Sequence, residues 1–461
     1  MPNDTPFDAI IIGTGQAGPS LAGRLDAAGM RVAIIERHLV GGTCVNTGCK
    51  PTKTLVASAY AAQMARRGAE YGFSAGPVSV DMTVVAARAR KVILDSRTGN
   101  EDWLAGMPNV TLIRGHARFD GPGAVLVNGE RLAAPRIFIN VGGRAAVPDM
   151  PGLQEVPYLT NSSMVELDTL PHHLIVVGGS YIGLEFAQMY RRFGAQVTIL
   201  ERADRVIARE DPDISDAVRG ILEDEGIDVR TGADQMSFKQ TDDGIGVTFQ
   251  TRAGESVVAG SHLLIAIGRR PNTDDLGLES AGIALDARGY ITVDDRLQAS
   301  VPGVWALGDC NGRGAFTHTA YNDFEIVAAN LLDGEDRRVS SRVPGYALYI
   351  DPPLGRAGMS ELEAAKTGRP LLFARREMTR VGRAVEKGES KGFMKVVADA
   401  ETRRILGAAI LGTGGDEAIH GILDMMSADR PLDELRWAVP IHPTVSELIP
   451  TLLVDLAPAA R

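Results

Sequence analysis

Short runs of uninterrupted apolar residues punctuate the chain, and two of them run directly into glycine-rich turns. Ala9 to Ile12 leads into Gly13-Thr14-Gly15-Gln16-Ala17-Gly18, and Ile175-Val176-Val177 leads into Gly178-Gly179-Ser180-Tyr181-Ile182-Gly183. Apolar runs of this length, bounded by glycine, read as strands buried on both faces, the mark of a parallel sheet. A helical stretch follows each turn, and then a second apolar strand, Val32 to Ile35 in one case and Val197 to Leu200 in the other. The two units stand in register at an offset of 165 residues, with Gly29 matching Gly194, Val32 matching Val197, and Glu36-Arg37 matching Glu201-Arg202. The pattern predicts an α/β protein in which one strand–turn–helix–strand unit is used twice.

Each second strand ends in a glutamate 23 residues after the first glycine of its turn. This spacing has a chemical reading. The first glycine (Gly13, Gly178) makes the tight turn, and the second position lets backbone approach a pyrophosphate at the positive end of a helix. The third glycine (Gly18, Gly183) lets helix and strand pack closely, and the acid (Glu36, Glu201) accepts from a ribose hydroxyl. Both halves are therefore expected to bind a dinucleotide. The second copy carries Ser180 where the first has Gly15, which limits how closely backbone approaches the ligand there.

Beyond the second copy, Leu263 to Gly268 reads as a strand returning to the first unit. Pro344 opens a region of alternating pattern, with Phe393 to Val397 and Ile405 to Ile410 expected to form a hairpin around Asp399 to Arg404. Helical periodicity continues over Asp416 to Ala428 and Val445 to Leu456. Lys and Arg total 48 against 58 Asp and Glu, a net charge of −10, which argues against a nucleic-acid or anionic-membrane partner. No apolar run is long enough to span a bilayer, and the start Met1-Pro2-Asn3-Asp4 lacks the basic, then apolar, character of a secretory signal. A soluble cytoplasmic protein is expected.

The chain has only 3 cysteines, so a disulfide framework is excluded. Two of them, Cys44 and Cys49, lie in Gly41-Gly42-Thr43-Cys44-Val45-Asn46-Thr47-Gly48-Cys49-Lys50-Pro51-Thr52-Lys53, just past the first unit. Ala, Leu and Val dominate the residues after Lys53, which places the pair at a helix start, where the thiolate is favoured. Two thiols about a helical turn apart can close and reopen as a two-electron store. A zinc site lacks ligands, since only Cys310 and His38 remain as partners, and no metal is expected. An inert buried pair is the bland alternative.

The segment Gly41 to Lys53 resembles the redox-active disulfide of the flavoprotein disulfide reductases, which include glutathione reductase, dihydrolipoamide dehydrogenase and mercuric reductase. The resemblance runs through the chain in the family's order. Leu307-Gly308-Asp309 resembles the second FAD motif, Gly268-Arg269-Arg270-Pro271 the crossover to the FAD domain, and His442-Pro443-Thr444-Val445-Ser446-Glu447 the C-terminal histidine–glutamate dyad. It implies two Rossmann-like domains, for FAD (1–145 and 265–343) and NAD(P) (146–264), and a C-terminal α+β dimerisation domain (344–461). It further implies that a nicotinamide hydride enters FAD, which reduces the disulfide. Cys49 would face the flavin and Cys44 would attack substrate. His442 would act as base, oriented by Glu447, and both would be supplied by the partner subunit of a homodimer. Lys53 and Glu185 resemble the ion pair beside the flavin ring. Gly42, Thr43, Gly308, Asp309 and Gly268 join the two turns as cofactor contacts. Cys310 is read as buried and inert.

Glu201 favours NADH, because a carboxylate repels a 2′-phosphate; Arg202 and Arg205 argue for NADPH, though Arg37 matches Arg202 in the FAD copy. No cysteine follows Cys310, so the C-terminal cysteine pair usual in mercuric reductases is absent. Phe316 to Phe324 and Ile350 to Arg356 resemble the mercuric-reductase-like branch that holds the reactive-chlorine-resistance flavoproteins. A small oxidised acceptor, hypothiocyanous acid or a metal ion such as copper(II), is the expected substrate. The alternative is a dihydrolipoamide dehydrogenase or glutathione-type reductase, the former as a subunit of a multienzyme complex. A non-catalytic FAD-binding protein is the third reading.

Overall fold

The computed structural model describes residues 7–242 and 244–458, so the start Met1 to Asp4 and the end Ala459 to Arg461 lie outside the described residues. Among the described residues no helix is long and apolar enough to cross a membrane. Two parallel sheets carry the repeated unit. The first has five strands in the order Val304–Ala306, Ile137–Ile139, Ala9–Ile12, Val32–Glu36, Val110–Arg114. The second has four, in the order Asp228–Thr231, Gln196–Glu201, His173–Val177, His262–Ile265. Ala9–Ile12 and Val32–Glu36 are buried throughout, as their unbroken apolar character requires.

The expected match between copies extends to atomic detail. Gly13 and Gly178 have φ of +103° and +115°, and a Cβ on either would sit 2.3 or 2.4 Å from a carbonyl oxygen of a neighbouring strand end, Asn140 or Ala266. Gly18 and Gly183 face the carbonyl oxygens of Gly13 and Gly178, leaving 2.4 and 2.0 Å for any Cβ. Both helices also stop alike: Met30 N donates to Leu25 O and Ala195 N to Tyr190 O, each across the glycine that ends the helix.

One reading is corrected. Leu263 to Gly268 does not return to the first unit as a strand. His262–Ile265 pairs in parallel with His173–Val177 and completes the second sheet. The crossing is made by Arg269–Pro271, antiparallel to Gly143–Ala145. A four-residue apolar strand satisfies either sheet equally well, so periodicity could not choose between them.

The C-terminal region forms a six-stranded antiparallel sheet in which Phe393–Asp399 and Ile405–Leu411 make the expected hairpin. Asp399 caps its turn by accepting from the backbone of Glu401 and Thr402. The helical stretch expected over Asp416 to Ala428 is two pieces, Gly415–Ala418 and His420–Ser427. That expected over Val445 to Leu456 shortens to Leu448–Val454, because the Thr444 hydroxyl takes the Glu447 N–H and holds a turn there.

The close helix–strand contact sets an expected outcome. Gly183→Ala must push the helix off Gly178 and costs about 1–3 kcal/mol as an overpacked contact. Gly220→Ala, in the helix Pro212–Asp224 with nothing within 4 Å, stabilises by roughly 0.5–1 kcal/mol. Thermal unfolding of the two variants checks the opposite signs.

Candidate active site

Both glycine turns open on one cavity of about 2160 Å³, which also takes in Cys44, Cys49, Lys53 and Glu185. A pocket for one drug-sized ligand runs to roughly 300–1,000 Å³, so this one has room for two dinucleotides. The residues present fit both. The Glu36 carboxylate accepts from Thr14 N at 3.0 Å and His38 N at 2.8 Å, and Glu201 accepts from Gly179 N at 2.6 Å and Ala203 N at 2.7 Å. Each acid is thus fixed at its strand end, beside its turn. Gly15 carries no side chain into the cavity, and Gly42 (φ +60°) packs so closely on it that a Cβ would lie 2.8 Å from the Gly15 Cα. Thr43, Ser180, Arg202, Gly268, Gly308 and Asp309 line the same cavity. Arg202 is exposed at its rim, whereas Arg205 is taken up by Asp216 and the Pro212 carbonyl.

The two cysteines are free thiols, Cys44 in the short helix Gly42–Asn46 and Cys49 at the first position of the helix Cys49–Arg66. Their environments push them apart. Cys44 is driven far above the ordinary thiol range, first by its hydrogen bond to Cys49 and then by burial. Cys49 is pulled down to about 6, first by that same hydrogen bond from Cys44, and further by Thr317 and Lys53, against the opposing effect of burial. The Thr317 hydroxyl lies 3.1 Å from Cys49 Sγ. One thiolate shared by the pair therefore resides on Cys49, and Cys44 keeps its proton. Lys50 turns away to Ser96, 2.9 Å distant on the surface.

Lys53 Nζ meets Glu185 Oε2 at 2.6 Å, with the carboxylate side chain only 9% exposed. Glu185 Oε1 accepts the Tyr349 N–H at 3.0 Å, and the Tyr349 ring lies 4.5 Å under the Lys53 ammonium. Asp309 sits in a tight turn opened by Gly308 at φ +73°. Burial raises its pKa against the opposing charge of Arg269. Cys310, next to it, is fully buried with its thiol pushed up to about 12 by burial.

His442 and Glu447 form their pair, Nδ1 to Oε2 at 2.9 Å, but 80% of the His442 side chain is exposed and neither residue lines the cavity of its own chain. The chain thus gathers Cys44, Cys49, Lys53 and Glu185 and leaves the dyad on the outside.

Three residues of the site escaped the sequence reading. Thr317 lay in the Phe316 to Phe324 segment already singled out, but nothing in its type marked it as a thiol partner. Tyr349 precedes Asp351-Pro352-Pro353 by two positions and gave no signal of its own. Asp323, 1% exposed, accepts from Gly308 N and Asn311 Nδ2 at 2.8 Å each and so holds the Gly308–Asp309 turn; nothing in its local sequence marks it as buried.

A dithiol set between two dinucleotide turns defines an enzyme that carries electron pairs between a nucleotide and sulfur. The chain belongs to the pyridine nucleotide-disulphide oxidoreductases: that family's model matches residues 7–323, and its dimerisation domain matches residues 344–453. It is an oxidoreductase of the flavoprotein disulfide reductase family, and the dimerisation domain points to a homodimer. It is 36% identical to the probable pyridine nucleotide-disulfide oxidoreductase RclA of Escherichia coli, over 96% of this chain and 97% of that protein. It is 31% identical to a mercuric reductase of Bacillus cereus, over 96% of this chain and 70% of the relative. The structure described as the HOCl-induced flavoprotein disulfide reductase RclA from Escherichia coli superposes with a TM-score of 0.87 at 35% identity, covering 97% of this chain and 99% of the other.

The Cys49 environment has a measurable consequence. In pre-reduced protein, iodoacetamide alkylation of Cys49 falls as pH drops through about 6, because a depressed pKa keeps the thiolate until protons outcompete its donors. A hydrogen bond to a charged group contributes about 1.5–3 kcal/mol, so Thr317→Val should move that midpoint up by about one pH unit or more. A midpoint that stays in place removes Thr317 from the account.

Proposed function

We propose that the protein is a FAD-dependent NAD(P)H oxidoreductase that passes electrons through the Cys44–Cys49 disulfide to a small oxidised acceptor of the hypothiocyanous acid or metal ion type. The functional division runs 1–145 with 265–343 for FAD, 146–264 for the nicotinamide nucleotide, and 344–461 for subunit pairing, in a cytoplasmic enzyme. The observation that carries this reading is the dithiol's place in the one cavity onto which both glycine turns open, with the Lys53–Glu185 pair lining the same cavity and the Thr317 hydroxyl beside Cys49.

FAD, when bound, supplies two-electron transfer between a nicotinamide and the disulfide. The remaining work falls to the chain. Gly13, Gly15, Gly18, Gly42, Thr43, Gly308 and Asp309 hold one dinucleotide, and Gly178, Ser180, Gly183 and Glu201 hold the other. Lys53, neutralised by Glu185, presents a cation toward the thiol-bearing end of the cavity. The Glu201 carboxylate, fixed by two backbone donors, disfavours a 2′-phosphate and makes NADH the preferred nucleotide, with Arg202 at the rim as the one group opposing this.

In the reduced enzyme Cys44 needs its proton removed, and His442, oriented by Glu447, is the base for it. Since the His442 ring faces outward from its own chain, with Glu447 held behind it, the pair completes the site of the partner subunit. Trp437, Val439 and Ile441, exposed by 77%, 95% and 80%, give the same segment an apolar face to bury in that pairing. With hypothiocyanous acid, the Cys44 thiolate attacks sulfur and expels hydroxide, which leaves as water with the proton from His442. Cys49 then attacks the Cys44 sulfur, releases thiocyanate and restores the disulfide. Two electrons leave the dithiol and two enter the oxidant. A structure of RclA that covers 98% of this chain is described as a Cu(II) complex, which supports an acceptor of the metal ion type.

The test is nucleotide oxidation by the FAD-loaded enzyme against glutathione disulfide, lipoamide, Hg²⁺, Cu²⁺ and hypothiocyanous acid. Fast turnover of a small oxidant, lost in Cys44→Ser, is expected; faster turnover of lipoamide or glutathione disulfide would sink the acceptor assignment. A subunit-mixing experiment tests the dyad. Cys44→Ser and His442→Gln homodimers are each expected to be inactive. Re-paired at random, they should recover about a quarter of wild-type activity, since half the dimers then hold one intact site in trans. No recovery would place His442 in the site of its own chain.

A further inference from the structure

Three cations lie along the seam between the thiol-bearing helix Cys49–Arg66 and the helix Met82–Ala105. Lys50 Nζ donates to Ser96 Oγ and Arg97 Nε to Asn46 Oδ1, each at 2.9 Å. Arg88 Nη1 donates to the Thr54 carbonyl at 2.7 Å and to Ser58 Oγ at 3.2 Å. Every one of these partners is neutral, and among the described residues none of the three cations has a carboxylate within 4.0 Å. Asp95 and Glu101 on the second helix are taken by Lys91 and Arg114, both at 2.6 Å. In a chain of net charge −10, the seam is a local reversal of sign.

The seam adjoins both thiols. Asn46 ends the short helix Gly42–Asn46 that carries Cys44, and Lys50 follows Cys49 directly. Cys44 is held high by its hydrogen bond to Cys49 and by burial, and is drawn the other way by Thr317 and by the charge of Lys50. Cys44, Cys49 and Lys53 line the cavity that fits two dinucleotides, whereas Lys50, Arg88 and Arg97 do not. An acceptor that meets Cys44 while both nucleotides are bound therefore comes from outside that cavity, and the three cations stand there.

We propose that Lys50, supported by Arg88 and Arg97, is a specificity-determining residue that brings the acceptor to Cys44 as a small anion and works against a metal cation. The inference rests on the reading that Cys44 hands electrons to a small oxidant. Exposed charge acts over about 8 Å at physiological ionic strength, so a cation next to the thiol pair is within range of an arriving ion. Cations without counter-charge raise the local concentration of anions and their rate of encounter. Ser96 fixes the ammonium without neutralising it. Hypothiocyanous acid is a weak acid and is present near neutrality as its anion. That anion takes one proton from solvent at the thiols and becomes the acid that Cys44 attacks. Cu²⁺ meets the same field with the opposite sign.

The probes are three disulfides of different charge: dithiobis(nitrobenzoate), a dianion; dithiodipyridine, neutral; and cystamine, a dication. Each is mixed with pre-reduced, FAD-loaded enzyme, and loss of the Cys44 thiol is followed by mass after acid quench. At low salt, Lys50→Gln is expected to slow the dianion about 3–10-fold relative to the neutral probe and to speed the dication. The neutral probe carries any change in the nucleophilicity of Cys44 itself, so the ratio reports charge alone. In about 1 M salt, where the screening length is roughly 3 Å, the ratios should fall within about twofold of wild type. Lys50→Arg should restore the wild-type order. An equal change with all three probes, or a ratio that salt leaves in place, overturns the proposal. In turnover, Lys50→Gln should lose rate with hypothiocyanous acid at neutral pH and gain it with Cu²⁺; equal losses with both likewise overturn it. A wild-type enzyme that reduces no small oxidant overturns the acceptor reading, and the probe ratios tell that failure from a failure of Lys50 to select by charge.

Discussion

Glu185 is the residue on which three parts of the chain converge. It stands in the first turns of the helix Tyr181–Phe193, in a stretch where every neighbour from Gly183 to Tyr190 is buried. A carboxylate there is costly unless its lone pairs are taken, and both oxygens are: Lys53 from the cysteine-bearing helix and Tyr349 N–H from the C-terminal region. The same contact therefore fixes the second unit against the first and both against the third. It also decides where the lysine points. Stacked over Tyr349 and paired to Glu185, the ammonium is held near enough to Cys49 to help lower its pKa. A structural requirement (neutralising a buried acid) and a chemical one (stabilising a thiolate) are met by one cation.

The helix that presents Glu185 is placed by a contact that tolerates no side chain. Gly183 rests on the carbonyl of Gly178, as Gly18 rests on Gly13, and the acid at each following strand end is pinned by the N–H beside the turn and by the N–H two residues beyond itself. The two copies thus solve one problem identically, that of satisfying backbone donors at a strand–helix junction while leaving the turn open to phosphate. Where they diverge, the ligands they suit diverge too. The first copy has Gly15 and adds Gly42 packed directly upon it; the second has Ser180 and Tyr181, the latter tied to Glu210.

Features set by local covalent chemistry were legible in the sequence. Gly13, Gly18, Gly178 and Gly183 announced the turns because only glycine meets the steric demand, and Cys44 and Cys49 announced the dithiol because their spacing is the chemistry. The hairpin around Asp399 was legible for the same reason, a turn residue between two alternating runs. What failed to show were choices made by tertiary contact. The strand His262–Ile265 is apolar enough for either sheet, and only the register with His173–Val177 assigns it. Asp323, Glu210 and Tyr349 belong to residue types that are usually exposed or merely packed. Their roles come from partners far along the chain: Gly308 and Arg342 for Asp323, Arg356 for Glu210, Glu185 for Tyr349. The pairs Glu210–Arg356 and Glu185–Tyr349 lie more than a hundred residues apart, so composition and period carry no trace of them.

The joint between the second unit and the C-terminal region sets buried ion pairs beside an apolar cluster that packs Phe186 and Tyr190 against Leu348, Ile350 and Phe393. Glu210 meets Arg356; Lys395, 3% exposed, meets Asp211, Asp213 and Glu361 within 3.1 Å; Arg192, 6% exposed, meets Glu225 and Asp351 at 2.6 and 2.7 Å. Apolar side chains of like volume would hold such a joint at least as strongly, since desolvation consumes most of what a buried pair gains. What they would not do is fix its angle. A guanidinium between two carboxylates adds directional contacts to the apolar packing, and parting them leaves an unpaired charge in the interior. The cavity between the glycine turns needs that fixity. Its walls are drawn from every part of the chain, so both glycine turns keep their distances to Cys49 only while those parts hold their relative angles. Charge at this joint sacrifices some stability for geometry, and the geometry is what the two thiols depend on.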